Sequence, residues 1–120
     1  MASPEKHLGN VGGISAKGRM EDESIGAQQT TTYTLSITNN NSFDGDLTNV
    51  KVEVEKIEPK GKALAVHPPH VFIPVLERGE TEHRVFLVHN TTNDVVTTYI
   101  LRNRISYAEE VHDFANFTRP

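Results

Sequence analysis

The chain has no cysteine and no tryptophan, and only 7% of its residues are aromatic. The first absence removes a disulfide framework, a thiolate zinc site and a cysteine nucleophile together. The second removes the ring that most often serves as a stacking platform for sugars, and leaves Phe43 and Tyr107 as the candidate platforms. No apolar run approaches the roughly 20 residues of a membrane-spanning helix. Basic residues are also scarce: 12 Lys and Arg against 16 Asp and Glu give a net charge of −4. Such a balance argues against nucleic acid as a partner, because neutralising phosphates takes a concentrated basic face. No serine sits in a glycine-flanked nucleophile turn and no glycine-rich phosphate loop is present, so neither catalysis nor a cofactor is expected. The segment Met1-Ala2-Ser3-Pro4-Glu5-Lys6-His7 lacks a basic start followed by an apolar stretch, so no signal peptide is expected in it.

What is present is alternation. At 120 residues the chain is the size of one domain, and a chain of this size buries roughly two thirds of its unfolded surface without metal or disulfide staples. Between Thr30 and Val54 two strand patterns flank a turn-rich segment, Asn39 to Asp46. Tyr33, Leu35 and Ile37 share one face, with Thr32, Thr34, Ser36 and Thr38 opposite; Val50, Val52 and Val54 repeat the pattern against Lys51, Glu53 and Glu55. Ile14 to Met20 is expected as an edge strand and Ala63 to Val66 as a short one. His67-Pro68-Pro69-His70 interrupts pairing, since two prolines remove two amide donors. Val71, Ile73 and Val75 alternate beyond it, at an edge because of Pro74. The run Val85-Phe86-Leu87-Val88 within His83 to His89 is apolar on both faces, which suggests a central strand. Val95 to Tyr107 is the last long strand, with Tyr99, Leu101, Ile105 and Tyr107 in one phase.

About seven short strands separated by turn signals predict an all-β, immunoglobulin-like antiparallel sandwich over residues 14–107. Residues 1–13 read as a flexible arm, with Gly9, Gly12 and Gly13, and residues 108–120 as a tail holding at most a short helical turn.

Two pieces resemble a known family. Tyr33-Thr34-Leu35-Ser36-Ile37-Thr38-Asn39-Asn40 followed by Leu47-Thr48-Asn49-Val50-Lys51-Val52-Glu53-Val54 resembles the strand pair of CARDB-like domains. These are immunoglobulin-like adhesion and stalk modules of bacterial and archaeal surface proteins. Ile73-Pro74-Val75-Leu76-Glu77-Arg78-Gly79-Glu80-Thr81 resembles a later turn of the same modules. The water-stress domain of late-embryogenesis proteins has a similar asparagine-rich strand ending and is also a sandwich. The resemblance implies a sandwich with a structural, adhesive role.

The candidate sites are few. Asn41, Asp44 and Asp46 could offer oxygens to calcium, although the loop lacks the closing glutamate of the helix-flanked motif. His67 and His70 could join His83 or His89 around a metal, but the last two lie about 20 Å apart on a regular strand at about 3.3 Å per residue, so both cannot bind one ion. Glu53 and Glu55 form a carboxylate pair that reads as a solvated face. Asn40-Asn41-Ser42, Asn90-Thr91-Thr92 and Asn116-Phe117-Thr118 match N-glycosylation acceptors. Contacts with a protein partner are assigned to unpaired edges and the arm, through Val71, Ile73, Val75, Ile14 and Leu8. The expected function is that of a non-catalytic structural or interaction module of an extracellular surface or virion assembly, self-assembly included. The alternative is a carbohydrate- or calcium-binding sandwich.

Overall fold

A computed structural model describes residues 5–40, 45–61 and 63–119. The chain passes through β1 (Lys6–Val11), β2 (Ile14–Met20), β3 (Thr30–Asn39), β4 (Leu47–Glu58) and β5 (Leu64–His67). It continues through β6 (His70–Leu76), β7 (Thr81–Asn90), β8 (Tyr99–Tyr107), β9 (Glu110–Asp113) and β10 (Phe117–Arg119). One sheet has the order β1-β2-β3-β7-β5 and the other β10-β8-β4-β6, with β9 also paired to β8. Every strand pair is antiparallel. The Pro68-Pro69 segment carries the chain from β5 in the first sheet to β6 in the second. The result is an all-β, immunoglobulin-like sandwich, as the alternation requires.

Strict alternation builds the core. Thr31, Tyr33, Leu35, Ile37 and Asn39 of β3 point inward, and Tyr99, Leu101, Asn103, Ile105 and Tyr107 of β8 face them from the other sheet. The period changes once in β4, where Leu47 and Val50 are both buried although three residues apart. Asn49 lies between them at φ 52° and opposite Pro74, and its left-handed backbone re-aims the chain without changing the register. The same shift on β6 buries Ile73 and Leu76 and turns Val75 outward, so Val75 does not share the face of Val71 and Ile73.

Both termini depart from the expectation of an arm and a tail. Lys6–Val11 is a strand that pairs with β2, so Ile14–Met20 lies inside the sheet and not at its edge. The reason is the pair Gly12 and Gly13, at φ 59° and 81°, which suits a two-residue hairpin turn with both central residues in the left-handed region. That turn is tied down by the Tyr107 hydroxyl, which donates to the Gly12 carbonyl at 2.9 Å. Beyond Tyr107 the chain forms β9 and β10 and no helical turn, and Phe114 and Phe117 enter the core.

The sheets are joined by a buried polar contact. The Tyr33 hydroxyl of β3 donates to Asn103 Oδ1 of β8 at 2.8 Å. Burial pushes the phenol's pKa far above its ordinary value, which favours the protonated form that donates this bond. The Tyr33 ring meets Phe117 edge-on at 5.1 Å. Gly18 on β2 leaves the room: a Cβ there would run into the Tyr33 hydroxyl and stand 3.0 Å from the Phe117 ring.

Gly18→Ala is therefore expected to cost about 1–3 kcal/mol, as overpacking does, and Tyr33→Phe about 1–3 kcal/mol, because Asn103 Oδ1 loses its donor. Because the nearest obstacle at Gly18 is the hydroxyl itself, the double variant should lose less than the two costs added, as measured by urea unfolding. Strict additivity would show that the hydroxyl does not set the clearance.

Candidate interaction surfaces

The two outer faces of the sandwich differ in charge. On the second sheet each outward cation has an anion beside it. Arg102 bonds Glu55 across β8 and β4, Arg104 Nε donates to Asp113 Oδ1 at 2.7 Å across β8 and β9, and Lys51 stands 3.8 Å from Glu53. The bond from Arg104 holds the Asp113 carboxyl below its usual range, and the same pair raises Arg104. Glu53 and Glu55 are thus members of a solvated, charge-matched face.

On the first sheet the outward positions alternate with the core set. Register aligns them in rows: Arg19 with Thr34 and Val85, Lys17 with Ser36 and His83, and Thr32 with Leu87 and His67. Val85 and Leu87 are 52% and 44% exposed. The apolar pattern of β7 does place it inside the sheet, between β3 and β5, but nothing among the described residues covers its outer face.

The predicted contact residues separate clearly. Leu8, Ile14 and Ile73 are buried in the core, Val71 packs against it, and Val75 is 48% exposed. Leu8, Ile14 and Ile73 fill the sandwich with their side chains, and Val71 is partly buried against them. What remains available is the backbone edge of β6, which pairs only with β4. The Val54 N–H donates to the Pro69 carbonyl, which fixes which residues pair inward by hydrogen bonds. Antiparallel alternation then turns the amides of His70, Phe72 and Leu76 toward the free side, with donorless Pro74 among them. Phe72, 53% exposed beside the His70 ring, is the largest apolar group on this edge. The sequence reading missed Phe72 because it followed the buried phase; the signal was the apolar residue lying out of phase between Val71 and Ile73.

The other candidates resolve into structural roles. Among the described residues no group of three or more His, Asp or Glu could hold a metal ion. His83 and His89 bond Ser36 and Thr30 through Nδ1, each at 2.8 Å. Asn41, Phe43 and Asp44 lie outside the described residues, while Asp46 accepts the Arg78 N–H at 2.9 Å. Tyr107 is buried and cannot serve as a stacking platform. Asn90 is not an available glycan acceptor: it is buried, and its Nδ2 donates to the carbonyls of Ile25, Gly26 and Asp94 at 3.0, 3.1 and 2.7 Å. Its Oδ1 accepts from the Thr92 amide and hydroxyl at 2.9 and 2.7 Å. Asn116 is exposed, and Asn40 donates to Ser15 Oγ at 2.7 Å.

The fold thus defines a β-sandwich of the immunoglobulin-like class, with an uncovered outer face on the first sheet and unpaired edges that include that of β6. No protein-family profile matches the chain, and no curated protein matches it. Among solved structures it is similar to the GAE domain of GGA2p from Saccharomyces cerevisiae, with 11% identity and a TM-score of 0.53 over 98% of each chain. It also aligns with the yeast GGA1 GAE domain at 8% identity and a TM-score of 0.49, over 98% of this chain and 99% of that one. At such identity the likeness concerns the fold. The resemblance to CARDB-like modules likewise extends to the sandwich and no further.

Two outcomes follow from these contacts. Asn90→Ala leaves the buried Ile25 carbonyl and several half-buried groups without their partner and should cost about 1–3 kcal/mol in urea unfolding. Asp113, whose carboxyl is depressed below its ordinary 3.8, contributes stability that is present above that value and lost as pH falls through the lower folded value. The melting temperature should therefore drop less between pH 4 and pH 2 in Asp113→Asn than in the native chain, with the gap narrowing in high salt.

Proposed function

We propose that this chain is a non-catalytic protein-interaction module that joins a partner through the free edge of β6, as a component of a larger surface or virion assembly. The observation that carries the reading is the unpaired edge of His70–Leu76 with exposed Phe72 and Val75 on it. An exposed edge offers a row of amides and carbonyls to an extended segment, and alternate side chains give that pairing its selectivity. Pro74 shortens the usable edge and so limits indiscriminate pairing. A second copy of the chain is one such partner: antiparallel pairing about Phe72 would set His70 against Pro74 of the copy, whose carbonyl still accepts.

Removing residues 1–13 would also remove β1 and uncover Leu8's place in the core, so a point change at the edge is the cleaner test. Light scattering of the native chain should show a mass that rises with concentration, and Phe72→Lys should remain a monomer with an unchanged melting temperature. A native chain that stays monomeric at the highest attainable concentration would rule out self-pairing through β6.

A further inference from the structure

The outer face of the first sheet holds a second, chemically distinct surface. In a chain with more acidic than basic residues, no strand residue pointing outward from β2, β3, β7 or β5 is a carboxylate. The face carries Lys17 and Arg19 on β2, and histidines on β7 and β5. Two carboxylates stand at its margin: Glu5, 4.0 Å from Lys17, and Glu21, which follows β2. The exposed Val85 and Leu87 lie at the centre, two residues apart on the same side of one strand.

The hydroxyl ladder of β3 has a matching gap. At its ends the hydroxyls are engaged: Thr30 with His89, Ser36 with His83, and Thr38 with Thr81, at 2.8, 2.8 and 2.7 Å. In the middle, Thr32 and Thr34 stand opposite Leu87 and Val85, which offer no polar group. Among the described residues these two hydroxyls have no hydrogen-bond partner, and they flank an apolar strip that water covers poorly. Arg19 lies in the same row as Thr34 and Val85, so a cation, a hydroxyl and an apolar side chain are set side by side.

We propose that this face docks an acidic segment of a partner protein that carries apolar side chains. The charge complementarity is one-sided: the cations of the opposite sheet are matched within their own face, whereas Arg19 has no anion paired with it among the described residues. A polyanion without apolar groups would leave Val85 and Leu87 uncovered, and a purely apolar segment would bury Arg19 beside it unpaired. Only a segment with both kinds of group satisfies both. Apolar side chains on alternate residues of an extended segment would match the Val85–Leu87 spacing of about 7 Å. The inference rests on the reading of the chain as an interaction module but uses a surface separate from the β6 edge.

The test is to pan a random peptide library displayed on phage against the native chain. The enriched peptides are then measured against Leu87→Ser, Arg19→Glu and, as the control for the other surface, Phe72→Lys. The expected result is a consensus combining Asp or Glu with apolar residues, weakened at least about tenfold by Leu87→Ser and by Arg19→Glu but not by Phe72→Lys. Circular dichroism melts confirm that each variant folds, and all three altered side chains are exposed enough to be replaced without touching the core. Peptides lost only on Phe72→Lys would overturn this proposal and leave the β6 reading standing. Equal binding of heparin, insensitive to Leu87→Ser, would reduce the face to nonspecific charge and also overturn it. Failure to enrich any peptide would count against both surfaces.

Discussion

The phenol of Tyr33 sits where four strands must agree. It rises from β3, passes the bare backbone of Gly18 on β2, meets the edge of Phe117 on β10 and ends on Asn103 of β8. Apolar packing between two sheets is tolerant of small slides, because dispersion and burial are not directional. A buried hydroxyl with one acceptor is not tolerant: moving either sheet by one residue would strand both groups in the core. Asn103 completes the link by donating to the carbonyls of Leu101 and Ala115, both at 3.3 Å, so the segment before β10 is fixed by the same side chain. Register between sheets, and the docking of the carboxy-terminal strand, thus depend on one hydrogen-bonded pair.

The remaining buried asparagines do for loops what Asn103 does for the sheets. Asn39, at the end of β3, donates to the carbonyls of Gly45 and Leu76 at 2.7 and 3.1 Å, and so ties the start of β4 to the end of β6. Asn90, at the end of β7, gathers the carbonyls of Ile25, Gly26 and Asp94. Where strands end, backbone groups lose their ladder partners, and a short amide side chain in the interior can supply several bonds at once. Placing such groups inside raises the cost of any alternative arrangement, which favours a single ordered sandwich over a loosely packed one. Tyr99 works at the same end of the molecule as Asn90, with its hydroxyl on the Glu23 carbonyl at 3.2 Å and its pKa pushed up to about 12, chiefly by burial.

Much of this was legible from residue order alone. Tyr33, Leu35 and Ile37, and Val50, Val52 and Val54, fall on the core side as their alternation requires, and the proline pair at 68 and 69 does separate two strands. The losses came where a local rule admits two outcomes. Gly12 and Gly13 suit a mobile arm and a tight hairpin equally well, and what favours the hairpin comes from residues distant in sequence, with Leu8 in the core and the Tyr107 hydroxyl on the Gly12 carbonyl. Val75 continues an apparent alternation, but Asn49 in the left-handed region opposite Pro74 shifts the phase, and Leu76 takes the buried place. The Asn90 sequon is a further example, since a motif of three residues carries no information about burial.

The surfaces were harder to read than the core, for a physical reason. Core positions are set by the period of one strand, whereas a surface is set by which strands become neighbours. Arg19, Thr34 and Val85 are far apart in sequence and no local pattern links them; they meet because β2, β3 and β7 pair in one register. On the other sheet the same kind of juxtaposition brings Arg102 to Glu55 and Arg104 to Asp113, and there the charges cancel. A net charge of −4 conceals both arrangements. Exposed pairs of this sort add little stability, so their value on the second sheet is better sought in what they prevent. A face whose charges are matched internally offers a charged partner little to gain and a desolvation cost to meet. The unmatched face offers the reverse, and selectivity between the two sides of the sandwich follows from that difference.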